Sequence, residues 1–283
     1  MTSIPKDGVL SSSSERLAEP SFGAAMKLKG FSHFLVAKRN SLNLFNDEST
    51  LVYIRPGLYA KPRQPKSKPQ TSLFATSDLL TFIPRRDTTS LGKNETIVPG
   101  SARRYLMVVF TPLRTEFQRK GLSRIFHRTP LIRLRPGIVL LPQIRTRRVR
   151  LYSPALLRPS EFISRLLELG AEVQYAPRLE LVHSSSDQAI LELIRSNQTN
   201  RAQRLIKTCR NLFNQIKAEP RENGNQRKFI HQFHRLRSQM RLFRKQAQFF
   251  QNEFRIDLSD LVNRVASAVT KVNHRLKFCD TSK

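Results

Sequence analysis

Two cysteines in 283 residues, Cys209 and Cys279, are too few for a disulfide framework or a four-thiolate zinc site. Glycine is scarce too, with ten residues and no run that could cradle a phosphate in a glycine-rich loop. No apolar stretch approaches the ~20 residues that a membrane-crossing helix needs. The opening residues, MTSIPKDGVLSSSSERLAEPS, lack the basic segment followed by an apolar stretch that marks a secretory signal, so a cytoplasmic location is expected. Acids are the other shortage: 21 Asp and Glu stand against 50 Lys and Arg, for a formal net charge of +29.

The shortage of acids bears on chemistry. Metal-assisted phosphodiester cleavage needs clustered carboxylates. From Ser101 to Ser160 there are fourteen Lys and Arg and one acid, Glu116. His231 and His234 lie three apart on a predicted helix, but no third metal ligand is near them in sequence. No nucleophile elbow or Cys–His partnership is visible. The expectation is a non-enzymatic chain with no metal or cofactor. Its charge instead attracts polyanions, with nucleic acid the expected partner, DNA or RNA, ahead of an anionic membrane surface.

What is present organises into three parts. Residues 1–100 read as a flexible basic extension with little structure: a serine-rich start, a hairpin turn at Pro56-Gly57 within STLVYIRPGLYAKPR, and a strand or short helix in SLFATSDLLTFIPRR. Residues 101–183 read as an α/β unit. YLMVVF (105–110) is apolar throughout, as in a strand buried on both faces. A helix follows over 115–127, then two strands around Pro136-Gly137 in LIRLRPGIVLLPQI. Ser160 is placed to cap a second helix carrying Phe162, Ile163, Leu166 and Leu167, with Gly170 as its stop, and AEVQYAPRLELV (171–182) returns as a strand. Strand, helix, two strands, helix, strand is the order of a ferredoxin-like plait.

Residues 186–277 read as an all-helical antiparallel bundle, giving an α+β chain overall. Phe229, Phe233, Leu236, Met240, Phe243, Ala247 and Phe250 recur at alternating intervals of four and three, as do Leu258, Val262, Val265, Val269, Val272 and Leu276. Leu205, Cys209, Leu212 and Ile216 share that rhythm, which is a packed helical seam. EPRENGN (219–225) supplies the turn between the first two helices.

Arginine clusters mark the candidate interface. Arg145, Arg147, Arg148 and Arg150 crowd the loop QIRTRRVR, and Arg103 and Arg104 precede the first strand of the plait. Arg237, Arg241, Arg244 and Lys245 form a stripe beside the phenylalanine seam. Each guanidinium can fork two donors onto a phosphate, which confers affinity without sequence choice. Between residues 201 and 250 thirteen Lys and Arg face two acids, Glu219 and Glu222, so the stripe lacks the acids that would balance it within its own helix.

YLMVVFTP, a short basic helix and LIRLRPGIVLLPQ together resemble the N-terminal domain of the chromate-resistance regulator ChrB. That domain belongs to a plait group that includes the CRISPR-adaptation nuclease and the C-terminal part of the phenylacetate repressor. GAEVQYAPRLELV, the following SDQAILELIRSNQTNRAQRLIKTCRNLFNQI and RLRSQMRLFRKQAQFF extend the resemblance from Tyr105 to Phe250. It implies a plait with a helical tail and a role in DNA-associated regulation. Where the CRISPR nuclease carries a first-strand aspartate this chain has Phe110-Thr111-Pro112, and where the regulator continues into a sensing domain this chain has one further helix. Neither cleavage nor chromate sensing is therefore implied.

The expected function is a DNA-binding regulator acting through basic loops and a helix stripe. The alternatives are a metal-dependent nuclease of the CRISPR-adaptation type and an assembly protein of a ribonucleoprotein acting through helix pairing. A homodimer through the plait edge or a helical seam is a further expectation.

Overall fold

The computed structural model describes residues 24–37, 51–63, 79–84, 103–143, 153–182, 184–218 and 223–280. The strands are β1 (Met26–Lys27), β2 (Phe31–Ala37), β3 (Val52–Arg55), β4 (Leu58–Pro62), β5 (Leu79–Pro84), β6 (Arg104–Phe110), β7 (Ile132–Arg135), β8 (Ile138–Gln143) and β9 (Val173–Leu181). The helices are α1 (Glu116–Arg128), α2 (Pro159–Glu168), α3 (Ser184–Ala218), α4 (Asn223–Phe254) and α5 (Ser259–Asp280).

All nine strands belong to one sheet, in the order β3-β4-β2-β5-β9-β6-β8-β7, with β1 parallel to the start of β9 and every other pair antiparallel. This corrects the expected plait in two ways. The four strands of residues 104–181 are not a free-standing unit but about half of a larger sheet. The other five lie between Met26 and Pro84, inside the stretch expected to carry little structure. The basic, proline-punctuated composition of that stretch hides strands of only two to seven residues.

The two halves are related by a pseudo-twofold arrangement. Taken in chain order, β2, β3, β4 and β5 neighbour one another as β6, β7, β8 and β9 do: second, third, first, fourth. The hairpins match in detail. Tyr53 pairs with Tyr59 and Arg55 with Leu58, while Arg133 pairs with Val139 and Arg135 with Ile138, each with the same one-residue slip. Both hairpins turn on Arg-Pro-Gly, at residues 55–57 and 135–137. Ala37 donates its N–H to the Gly57 carbonyl at 3.0 Å, and Phe110 donates to Gly137 at 2.9 Å. The fourth strands, β5 and β9, then join the halves. The β9 edge that a second copy could have used is thus paired within the chain.

The hairpin arginines fasten the halves reciprocally. Arg55 donates through Nη1 to the Phe110 carbonyl at the end of β6, and Arg135 donates through Nε to the Ala37 carbonyl at the end of β2, 2.8 Å away. Each carbonyl closes the first strand of the opposite half. The two hairpin tips therefore abut, Arg135 against Gly57 and Arg55 against Gly137.

Strand alternation divides the core. Tyr105, Met107 and Val109 of β6 join Phe34, Val36, Leu58, Leu80 and Phe82 of the first half in one buried cluster. Leu106, Val108 and Phe110 point the other way, onto Ile125 of α1 and Phe162, Ile163 and Leu166 of α2. Both faces of β6 are covered, which accounts for its unbroken apolar run. The helix α2 begins at Pro159 rather than after a Ser160 cap, and the Arg158 N–H is received by Glu161 Oε2 at 2.8 Å. Gly170 follows α2 at φ +78°, as expected of its stop.

The long helices are anchored at one end. Ala189, Ile190 and Ile194 of α3, Phe249, Phe250 and Phe254 of α4, and Ile256 and Leu258 enter the sheet cluster. The remaining lengths of α3, α4 and α5 share a separate interior built from the seam residues, Leu205, Cys209 and Leu212 with Phe233, Leu236, Phe243, Val265 and Val272. The three seams thus close on each other within one chain, and those buried residues are not available to a partner helix.

Gly57 and Gly137 sit at φ +80° and +77°, where a side chain is strained. A Cβ on Gly57 would meet the movable Arg135 side chain at 3.1 Å, but on Gly137 it would come within 2.6 Å of the Phe110 carbonyl. Gly57→Ala is expected to cost about 1–2 kcal/mol, the left-handed penalty alone. Gly137→Ala should cost distinctly more, because backbone must move. Urea denaturation midpoints of the two variants test this order.

Candidate nucleic-acid interface

The α4 stripe is laid out as its spacing requires. Arg237, Arg241 and Arg244 follow at intervals of four and three, forming one row with Lys245 beside it, and all four are exposed. Phe233, Leu236 and Phe243 are buried against α3 and α5, and Ala247 and Phe250 against the sheet, on another side of the helix, so the row faces solvent. From Arg237 to Arg244 the row runs about 10 Å, the axial span of about three phosphates on one DNA strand. No hydrogen bond or ion pair engages these four side chains among the described residues.

The other expected contacts separate from this row. Arg145, Arg147, Arg148 and Arg150 lie outside the described residues. Arg103 and Arg104 are placed in ion pairs within the fold. Arg103 Nη1 pairs with Asp187 at 3.2 Å, and its guanidinium stacks over the Phe254 ring at 4.9 Å. Arg104 pairs with Glu180 at 3.8 Å. Both are engaged in docking α3, α4 and β9 onto β6, because acids brought close by the fold, not by the sequence, lie beside them. Tyr105 lies under the same contact, and burial raises its phenol pKa.

A second arrangement escaped the sequence reading. The last turn of α1 ends in carbonyls that have no partner within the helix. Gln246 of α4, buried to 2% exposure, shares the two N–H donors of Nε2 among three carbonyls at this end: Phe126 at 3.2 Å, His127 at 3.1 Å and, in the cap, Thr129 at 2.7 Å. The Phe126 and Thr129 carbonyls also accept the backbone N–H of Thr129 and Leu131. Arg201 of α3 donates to Gln246 Oε1 and to the His127 carbonyl, the latter at 3.2 Å, and lies 5.6 Å from the Phe243 ring centre. Burial lowers the Arg201 pKa to about 10, so it remains charged at neutral pH. Among the described residues no carboxylate pairs with it; the carbonyl end of α1 supplies the negative potential. A Gln and an Arg in heptad-patterned helices resemble ordinary surface residues, and only the position of α1 reveals their role.

His127 completes this knot. Burial first, then the nearby charges of Arg201 and Arg204, lower its pKa to about 4. Its Nε2 lies 3.5 Å from Ser123 Oγ, a long contact. His231 and His234 are exposed on α4, and among the described residues no three His, Cys, Asp or Glu gather as a metal site. A groove of about 640 Å³ lies between α3 and α5, with Cys209 and Phe213 on its floor and Arg210, Arg264 and Lys271 at its rim. Burial raises the Cys209 thiol pKa, which makes it a poor nucleophile. Among the described residues no helix is long and apolar enough to cross a membrane.

Comparison of the chain with protein families, with curated proteins and with solved structures found no match.

Gln246→Leu should destabilise the fold by about 1–3 kcal/mol, the cost of leaving buried acceptors unmade, in a urea titration. His127 adds a pH dependence. Its unfolded pKa is near 6.5, so between about 4 and 6.5 the unfolded chain holds the extra proton. Its contribution is therefore complete above pH 6.5 and lost as pH falls toward 4. His127→Gln should flatten that part of the stability profile, measured as denaturation midpoints at pH 7 and pH 4.5.

Proposed function

We propose that this chain is a nucleic-acid-associated protein, a DNA-binding regulator resembling the N-terminal domain of the chromate-resistance regulator. In this reading the two halves of the sheet are a pair of ferredoxin-like plaits in one chain, and α3, α4 and α5 form an antiparallel bundle. The observation that carries the proposal is the exposed row Arg237, Arg241 and Arg244, three cations at phosphate spacing with no carboxylate engaged to them. A net charge of +29 supplies the long-range attraction that brings a polyanion to it. Contacts of this kind hold the backbone of a duplex or single strand and leave base choice to other groups.

The test is a titration of the full chain against duplex DNA, single-stranded DNA and structured RNA at several salt concentrations, with magnesium present and the substrates checked for cleavage. Binding that weakens steeply with salt, with the nucleic acid intact, is expected. Replacing Arg237, Arg241 and Arg244 together by Ala should reduce the slope of log affinity against log salt by about 2 to 3. No binding at low salt would overturn the proposal, and magnesium-dependent cleavage would turn it toward the nuclease alternative.

A further inference from the structure

The most exposed large apolar side chain among the described residues is Phe117, at 78%. It lies in the first turn of α1, on an element held with little freedom. The Thr115 hydroxyl receives the Gln118 N–H at 3.2 Å, and Gln118 Oε1 receives the Thr115 N–H at 3.1 Å. Gln118 Nε2 also donates to the Leu169 carbonyl at 2.8 Å, tying α1 to the end of α2. Gly121 lets the two meet closely, since a Cβ there would come within 2.6 Å of Leu169 Cδ2. The exposed ring is thus presented by a fixed support.

Its surroundings are cationic. At 3.6 residues per turn Phe117, Arg124 and Arg128 fall on one line of α1 with Lys120 beside it, and Arg114 immediately precedes the helix. All four cations are exposed, and the only acid on the helix, Glu116, is paired with Lys120 at 2.7 Å. An apolar ring alone would suit a protein or lipid contact. An apolar ring among arginines, with no second apolar side chain exposed on the helix, suits a polyanion whose charges are interspersed with flat, stackable groups. A membrane-binding helix would need a broader apolar face.

We propose that Phe117 is a base-stacking platform for single-stranded nucleic acid, with Arg114 and Arg124 holding the flanking phosphates. This rests on the reading of the chain as nucleic-acid-associated and names the strand state it prefers. A duplex keeps its bases stacked inside and offers none to the ring; a single strand offers every base.

The experiment measures affinity of the full chain for a single-stranded oligonucleotide and for the matching duplex, each across a salt series, for wild type and for Phe117→Ala, Phe117→Leu and Phe117→Trp. At 78% exposure the ring can be replaced without loss of the fold, which a thermal melt checks. Stacking of one base predicts a loss of about 5- to 150-fold for single strands in the Ala and Leu variants, retention in the Trp variant, and little change on duplex. The salt slope should stay constant, because no phosphate contact is removed. Equal losses on single strand and duplex, full affinity in the Leu variant, or no loss in the Ala variant would overturn the platform while leaving nucleic-acid binding in place. Absence of wild-type binding to either substrate would remove both readings, and Phe117-dependent binding to anionic vesicles would then assign the face to a membrane.

Discussion

The carbonyl oxygens in the last turn of α1 are the point on which sheet and helices depend together. A helix end must pass its unpaired acceptors to water or to another group, and here side chains from two other helices cover it. Gln246 and Arg201 come from different helices, so α3 and α4 can be docked only in the one arrangement that brings both side chains to the same carbonyls. Apolar packing tolerates sliding by a helical turn; two N–H donors of one amide shared among three fixed carbonyls do not. The cost is a guanidinium held without a carboxylate, offset by the dipole of α1 and the face of Phe243. Burial first, and that charge second, lower the pKa of the neighbouring His127 imidazole, so fold and protonation state are joined at one place.

The sheet depends on a different economy of contacts. Its halves share the strand β5–β9 boundary and an apolar interior, but their hairpins meet through arginine side chains donating to backbone. A carbonyl at the end of a strand has lone pairs to spare, and an arginine can reach it without disturbing the ladder. The Pro-Gly turn that follows each arginine sets the chain back into the next strand at once, so the guanidinium stands at the tip where the other half can receive it.

Much of the second half was legible from the chain itself. Its strands and helices are contiguous apolar segments separated by turn residues, and β6, α1, β8 and β9 lie within a residue or two of where YLMVVF, the helix over 115–127 and the later segments place them. In the first half the hairpin at Pro56-Gly57 and the segment that forms β5 were legible as local elements, but their membership of a sheet was legible only by comparison within the chain. RPGLYAKP and RPGIVLLP share Arg-Pro-Gly and a proline five residues after the glycine, eighty residues apart. Read separately each is a local turn; read together they announce a duplicated hairpin. At the candidate interface the α4 row could be read from spacing, because a heptad seam fixes which side faces out. Arg103 and Arg104 could not, because Asp187 and Glu180 are remote in sequence and become neighbours only when β9 and α3 pack against β6. Gln246 carried no signal, since a buried amide and an exposed one are written with the same letter.

The joining of two similar half-sheets in one polypeptide changes what dilution can do to them. A pair of separate subunits meeting along one strand would part as their concentration fell. Here the connecting chain between β5 and β6 holds the partners at a constant effective concentration, whatever the amount of protein in the cell. Each half is also relieved of the duty to be self-complementary, because each meets only the other and never a copy of itself. The second half can keep α1 and α2 on its outer face without any matching demand on the first, because a symmetrical joint does not require symmetrical surfaces.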